Sequence, residues 1–156
     1  MANEETVKVE RAMRGRRAVV IGSARGIGRA TVRMLASRGA SVACLDLDQA
    51  GAEEAAEQIR GSGGEALALS CDLGDVDSVE TAVTRAAEWA GGIDLLAVVG
   101  AMAHVGEVEK ISPNDFRRVL DVNLVGPFTA ARAALPYLVA AKGNIVNVAS
   151  LAGIKG

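Results

Sequence analysis

Ala18-Val19-Val20-Ile21-Gly22-Ser23-Ala24-Arg25-Gly26-Ile27-Gly28 is the stretch that decides the fold. Ala18 to Ile21 is an apolar run of the kind that forms a parallel strand buried on both faces. Gly22 ends it. After Gly26 and Gly28 the text Arg29-Ala30-Thr31-Val32-Arg33-Met34-Leu35-Ala36 carries apolar residues at helical spacing. A strand, a glycine-rich turn and a helix N-terminus together make an anion site, because backbone N–H groups and the helix dipole favour negative charge there. Gly22 would supply the tight turn, Gly26 the close approach to a pyrophosphate, and Gly28 the close packing of helix on strand. A plain strand-to-helix turn also uses glycines, so the flanks must decide. A second apolar strand, Ser41 to Leu45, ends in Asp46. An acid at that strand tip, about 20 residues past the glycines, is where dinucleotide folds hold a ribose hydroxyl.

Outward from this stretch the chain alternates. The pattern predicts strands at about 17–22, 41–46, 65–70, 93–99 and 144–150, and helices at about 26–38, 49–60, 75–90 and 112–141. Asp75 or Asp77 is a candidate cap for the third helix, and Ser112-Pro113 opens the fourth with a cap and a proline at its first position. Gly126-Pro127 should kink that helix. Five strands alternating with four helices imply an α/β fold, a right-handed, doubly wound parallel sheet of Rossmann type in the order 3-2-1-4-5. Residues 1–16 read as a charged leader and 17–156 as the domain.

Composition agrees. The 156 residues suit one domain, half of them are hydrophobic, and the net charge is −2, so no basic face advertises nucleic acid. Aromatics are scarce, which leaves a core of Val, Ile, Leu and Ala. Cys44 and Cys71 read as small buried hydrophobes rather than a disulfide or metal pair, and no metal site is expected. With no signal peptide and no apolar run of transmembrane length, the chain reads as soluble and cytoplasmic, with no membrane partner. His104, the only histidine, reads as a solvated loop residue. The fifth strand is apolar at Ile145, Val146 and Val148 and would leave an open sheet edge. A longer chain, a partner or a second copy should cover it.

In this order the motifs resemble the short-chain dehydrogenase/reductase family, from about Arg16 to the last residue. Gly22-Ser23-Ala24-Arg25-Gly26-Ile27-Gly28 matches its glycine motif, with Ile21 where a threonine is usual. Asp46, followed by Leu47, sits where NAD-preferring members carry an acid. Cys71-Asp72-Leu73 is similar to the segment whose aspartate and next backbone N–H hold adenine. Asp94 begins the fourth strand as in the family. Where the family has Asn-Asn-Ala-Gly this chain has Val98-Val99-Gly100-Ala101, which loses the bracing amides and keeps the small residues. Asn123 matches an asparagine that supports a proton-relay water, and Ser150 the serine that hydrogen-bonds the substrate carbonyl.

The resemblance implies an NAD-dependent oxidoreductase that moves a hydride between nicotinamide and a small alcohol or ketone. NADP is disfavoured because Asp46 would repel a 2′-phosphate, which leaves Arg25 as a turn residue or adenine-side neighbour. The implied cofactor contacts are Gly22, Ser23, Arg25, Gly26, Ile27, Gly28, Asp46, Leu47, Asp72, Leu73, Val99, Gly100 and Ala101; the implied catalytic residues are Ser150 and Asn123. The family's acid–base pair, Tyr-x-x-x-Lys downstream of the serine, would fall after Gly156, together with the last strands of the sheet. Tyr137, the only tyrosine, precedes the serine and reads as a helix residue in packing or at the surface. A homo-oligomer is implied through the helix at 112–141, using Val119, Val122, Leu124, Phe128 and Leu135. The alternative is a non-catalytic dinucleotide-binding subunit or regulatory module of the same fold.

Overall fold

A computed structural model describes residues 12–151. Met1 to Arg11, most of the expected leader, lie outside the described residues, as do residues 152–156. The chain runs β1 (Arg17–Ile21), α1 (Gly26–Ser37), β2 (Ser41–Asp46), α2 (Gln49–Gly61), β3 (Ala66–Ser70), α3 (Val76–Ala90) and β4 (Leu95–Val98). A short 3-10 turn at Val108–Lys110 leads to α4 (Pro113–Leu120), a π segment (Asp121–Val125), α5 (Gly126–Ala141) and β5 (Asn144–Asn147). The sheet order is β3-β2-β1-β4-β5, all parallel. Val19 lies opposite Ala43 on one side and Leu96 on the other. The chain therefore builds outward from β1 to β3 and then crosses back to β4. That reversal opens a crevice at the carboxyl ends of β1 and β4, where such sheets bind ligands.

Alternation along β1 sorts its side chains onto two faces. Ala18 and Val20 join Val32, Val42, Cys44, Ala52, Ala56 and Ile59 under α1 and α2. Val19 and Ile21 join Leu45, Leu96, Val79, Val83, Ala130 and Ala134 under α3 and α5. The small alanines let the helices sit close to the strands. Each large apolar side chain taken fully from water contributes ~1.5–3 kcal/mol, so these two clusters carry most of the stability. Cys44 and Cys71 belong to them as free thiols, and burial pushes both up to about 12.

The foot of the sheet is tied by charge. Asp94 accepts from the Arg17 side chain at 2.6 Å, the Arg17 backbone N–H at 3.0 Å and Arg16 at 3.1 Å. The Arg17 hydrogen bond outweighs the cost of burial, and with the Arg17 N–H and Arg16 it holds the Asp94 carboxyl below its ordinary value. Met13 packs on the core, and its N–H bonds the Arg38 carbonyl. The last residues of the expected leader, from Met13 to Arg16, thus join the domain.

Three expectations need correction. The fifth strand ends at Asn147 rather than Ser150, because its partner β4 ends at Val98, opposite Asn147. Only Val148 N–H continues the ladder, to the Val98 carbonyl. The long helix starts as expected, with Ser112 accepting from Asp115 N–H and proline in the first turn. Its interruption precedes Gly126-Pro127: Pro127 has no N–H for the Asn123 carbonyl one turn back, and the backbone widens to i→i−5 bonding, Gly126 N–H reaching Asp121. Third, the 29-residue run Pro113–Ala141, with a mean hydropathy of 1.3 in its most apolar window, is long and apolar enough to cross a membrane by length and composition. Its apolarity has two sources: Val122, Ala130, Ala134 and Leu138 are buried in the domain, and Leu124, Phe128, Leu135 and Val139 are exposed on the outer surface. Val122, expected on the outer face, is thus in the core, and Val119 is half-buried.

Candidate functional site

The glycines of the turn differ in what surrounds them. Gly22 has φ +93°, and a Cβ there would collide with the backbone of Gly100 at the end of β4. A Cβ on Gly28 would collide with the Gly22 carbonyl, so α1 sits directly on the turn. Gly26, at φ +54°, is exposed and has no protein atom within 4 Å of where a Cβ would be. The first two glycines let protein approach protein. Gly26 keeps space open in front of the turn.

That space faces the start of α1. Arg25 occupies the N-cap with extended backbone and makes no side-chain cap bond. By contrast Asp48 caps α2, Asp75 caps α3 and Ser112 caps α4. The first N–H groups of α1 are thus left to an external anion. Ser23 does not face this space with its hydroxyl, which is buried and donates to the Leu45 carbonyl at 3.1 Å. Only its backbone stays in the candidate set. Arg25, Ile27 and Leu47 are exposed around the opening.

Asp46 ends β2 beside the turn. One carboxylate oxygen accepts from Ala24 N–H at 2.8 Å and the other from Asp48 N–H at 3.0 Å. A carboxylate offers about four lone pairs, so one remains on each oxygen for a ligand diol. The acid both braces the turn and stays half-exposed to the crevice.

On the far side, Asp72 accepts from Arg118 at both oxygens, each at 2.8 Å, and from Gly74 N–H at 2.8 Å. Desolvation would raise its carboxyl, but the Arg118 hydrogen bond, the Gly74 N–H and the Arg118 charge together hold it below its ordinary value. The Leu73 side chain is buried. The β4 tail is held by Val99 and Gly100 N–H groups on the Ile21 carbonyl, at 2.8 and 3.0 Å. Ala101 follows, exposed.

Asn123 holds the loop after β4 with its side chain. Its side-chain oxygen accepts from Met102 N–H at 3.0 Å and its amide donates to the Met102 carbonyl at 2.8 Å. The side chain is therefore a brace for the loop after β4. Ser150 is exposed, three residues past β5. His104 is exposed in its loop, and Tyr137 packs against the core as the sequence suggests. No cluster of metal-binding side chains occurs among the described residues. Sequence reasoning missed Arg118. It lies 46 positions from Asp72, and no local pattern connects the two.

The free α1 amides, the open space at Gly26 and the remaining lone pairs on Asp46 suit a dinucleotide. Comparison with known proteins agrees with that geometry. The family model described as short chain dehydrogenase matches residues 16–156. D-threitol dehydrogenase of Mycolicibacterium smegmatis is 36% identical over 152 residues, covering 97% of this chain and 58% of the relative. Cis-4-hydroxycyclohexanecarboxylate dehydrogenase of Sinomonas cyclohexanicum is 38% identical over 141 residues, covering 89% and 56%. A short-chain dehydrogenase from Burkholderia cenocepacia, solved in complex with NADP, superposes with a TM-score of 0.86 at 32% identity, covering 92% of this chain and 58% of that one. The chain spans a little over half the length of the curated relatives it matches.

Proposed function

This chain belongs to the short-chain dehydrogenase family, and on that footing we propose that it forms the cofactor-binding part of an NAD-dependent oxidoreductase acting on a small alcohol or ketone. The observation that carries the cofactor choice is Asp46. Its remaining lone pairs can accept from both hydroxyls of an adenine ribose, while its charge repels a 2′-phosphate. The α1 amides hold the pyrophosphate, in the space that Gly26 leaves open. Asn123 fixes the Met102 loop, and with it the β4 tail beside the nicotinamide ribose. Ser150 donates a hydrogen bond to the substrate oxygen as charge develops on it. The nicotinamide supplies the hydride chemistry when bound. The single tyrosine of these 156 residues, Tyr137, has Ala141 rather than a lysine four positions on. Relatives named for D-threitol and cis-4-hydroxycyclohexanecarboxylate support a hydroxyl-bearing substrate. We place the protein in the cytoplasm, paired with a second copy through the exposed outer face of α4 and α5.

The test is titration of NAD(H) and NADP(H) against wild type and Asp46→Ala. Wild type should prefer NAD(H) by about tenfold or more, the value of roughly one hydrogen bond to a charged group. Asp46→Ala should narrow that preference and weaken both cofactors, because Ala24 N–H loses its anchor. Tighter NADP(H) binding by wild type would overturn the cofactor assignment.

A further inference from the structure

Arg118 sits on α4, one helix away from the crevice, yet its guanidinium reaches the loop after β3. One nitrogen bridges both oxygens of Asp72 at 2.8 Å. Gly74 N–H occupies a second position on Oδ1. Of about four lone pairs on the carboxylate three are therefore engaged, and the one left lies on Oδ2. Beside it, the Leu73 N–H has no acceptor among the described residues. The loop thus presents a single acceptor and a single donor side by side. That pair complements the amino group and adjacent ring nitrogen of adenine. It mismatches hypoxanthine, which offers a carbonyl and an N–H in the same places.

Gly74 completes the arrangement. A Cβ there would collide with the Arg118 guanidinium, so the missing side chain is what lets Arg118 lie across the loop. The π segment and α5 press on the same loop, because a Cβ on Gly126 would collide with the Leu73 carbonyl. The carboxylate is held ionised by its partners, and so it stays an acceptor.

We propose that Arg118 is a positioning residue for base recognition: by fixing the Asp72 carboxylate it makes the crevice select a cofactor with an adenine amino group. This rests on the cofactor reading above. Arg118 does not touch the base; it fixes the carboxylate, on which the Gly74 N–H leaves only Oδ2 with a free position.

The experiment uses the full chain and three probes: NAD, its hypoxanthine analogue, and nicotinamide mononucleotide, which lacks the base. Wild type should prefer NAD to the hypoxanthine analogue. Arg118→Ala should lower that preference by about tenfold, the worth of one well-oriented hydrogen bond, and leave the mononucleotide affinity unchanged. Gly74→Ala should do the same while keeping both charged residues, because its methyl displaces the guanidinium. Arg118→Lys should restore part of the preference, since an ammonium keeps the charge without the planar fork. The ion pair is exposed enough that its loss should spare the fold, which melting curves verify. An unchanged preference in Arg118→Ala and Gly74→Ala would overturn the proposal. So would a mononucleotide affinity that falls in step with NAD, which marks a merely structural role. If wild type binds none of the three probes, the cofactor reading itself fails and this one with it.

Discussion

Strands β1 and β5 are both apolar through their middles, and the sheet treats them oppositely. Ala18 to Ile21 of β1 are buried, with a strand on either side and helices on both faces. Every residue of β5 is exposed, although Ile145 and Val146 would suit a core. Among the described residues its backbone pairs with β4 alone. The contrast teaches that burial here is set by position in the sheet, not by composition. On the β1 side all close contacts are protein on protein, apart from the space at Gly26. On the β5 side apolar surface is left without a neighbour among the described residues, the condition that a further strand or another chain relieves.

The largest expected effects come from the tightly built side. Gly28→Val should destabilise the fold by more than about 3 kcal/mol, because its side chain must displace the backbone of Gly22 rather than a flexible neighbour. At Gly26 a Cβ meets no protein atom, so Gly26→Val carries chiefly the cost of a left-handed conformation, about 1–2 kcal/mol. It should still fold and lose cofactor affinity by about 100-fold or more, because the side chain fills the pyrophosphate space. Thermal melts with NAD(H) titrations separate the two. Equal melting temperatures for the variants would mean the turn is not built as described. Full affinity in Gly26→Val would mean that its space serves no ligand.

Asp94 joins the two regions. Its carboxylate holds the start of β1, and its carbonyl accepts from Asn144 N–H of β5 at 3.0 Å. Asp94→Ala should cost about 2–4 kcal/mol, since it leaves the Arg17 backbone N–H and guanidinium without their shared acceptor. The pH dependence has a definite sign. The folded-state pKa lies below the unfolded value of about 3.9, so the contribution is fully present above that value. It is lost as pH falls through the depressed folded value. Urea midpoints of wild type and Asp94→Ala should therefore differ at pH 7 and converge as pH falls through that depressed value. A constant gap would show that the carboxylate acts through packing instead of charge.

The tight side was also the legible side. The glycines, Asp46 and the strand order follow from local text, because a turn with a required φ and a strand with two buried faces leave short-range signatures. The direction of the Ser23 hydroxyl was not legible, since a hydroxyl in a turn reads the same whether it faces a ligand or the neighbouring strand. The side-chain partner of Asn123 was hidden for a related reason: Met102 lies 21 residues away and belongs to a loop with no pattern of its own. Arg118 left no trace, as its meaning depends on a partner brought close only by the crossover between β3 and β4. The end of β5 was overrun because the apolar text continues to Val148 while the partner strand stops at Val98.

The smallest expected change tests the open side. Val146→Lys places a charge on the outermost strand, where the side chain is about half exposed. If the edge is open in the 156-residue chain, melting should shift by the equivalent of no more than ~0.5 kcal/mol, as for most surface substitutions. Solubility should rise, because a lysine on an edge strand discourages pairing with a second copy. Light scattering on concentrated samples of both forms reads the difference. A large drop in melting temperature would instead show that Val146 is covered in solution, and that β5 is closer to β1 in its surroundings than its exposure indicates. In a longer protein that adds a strand beyond β5, the same lysine would have to displace packed side chains, and the cost should rise to the ~1–3 kcal/mol of a disturbed core. Comparing the two effects thus tells whether the Val146 side chain faces solvent or a packed neighbour.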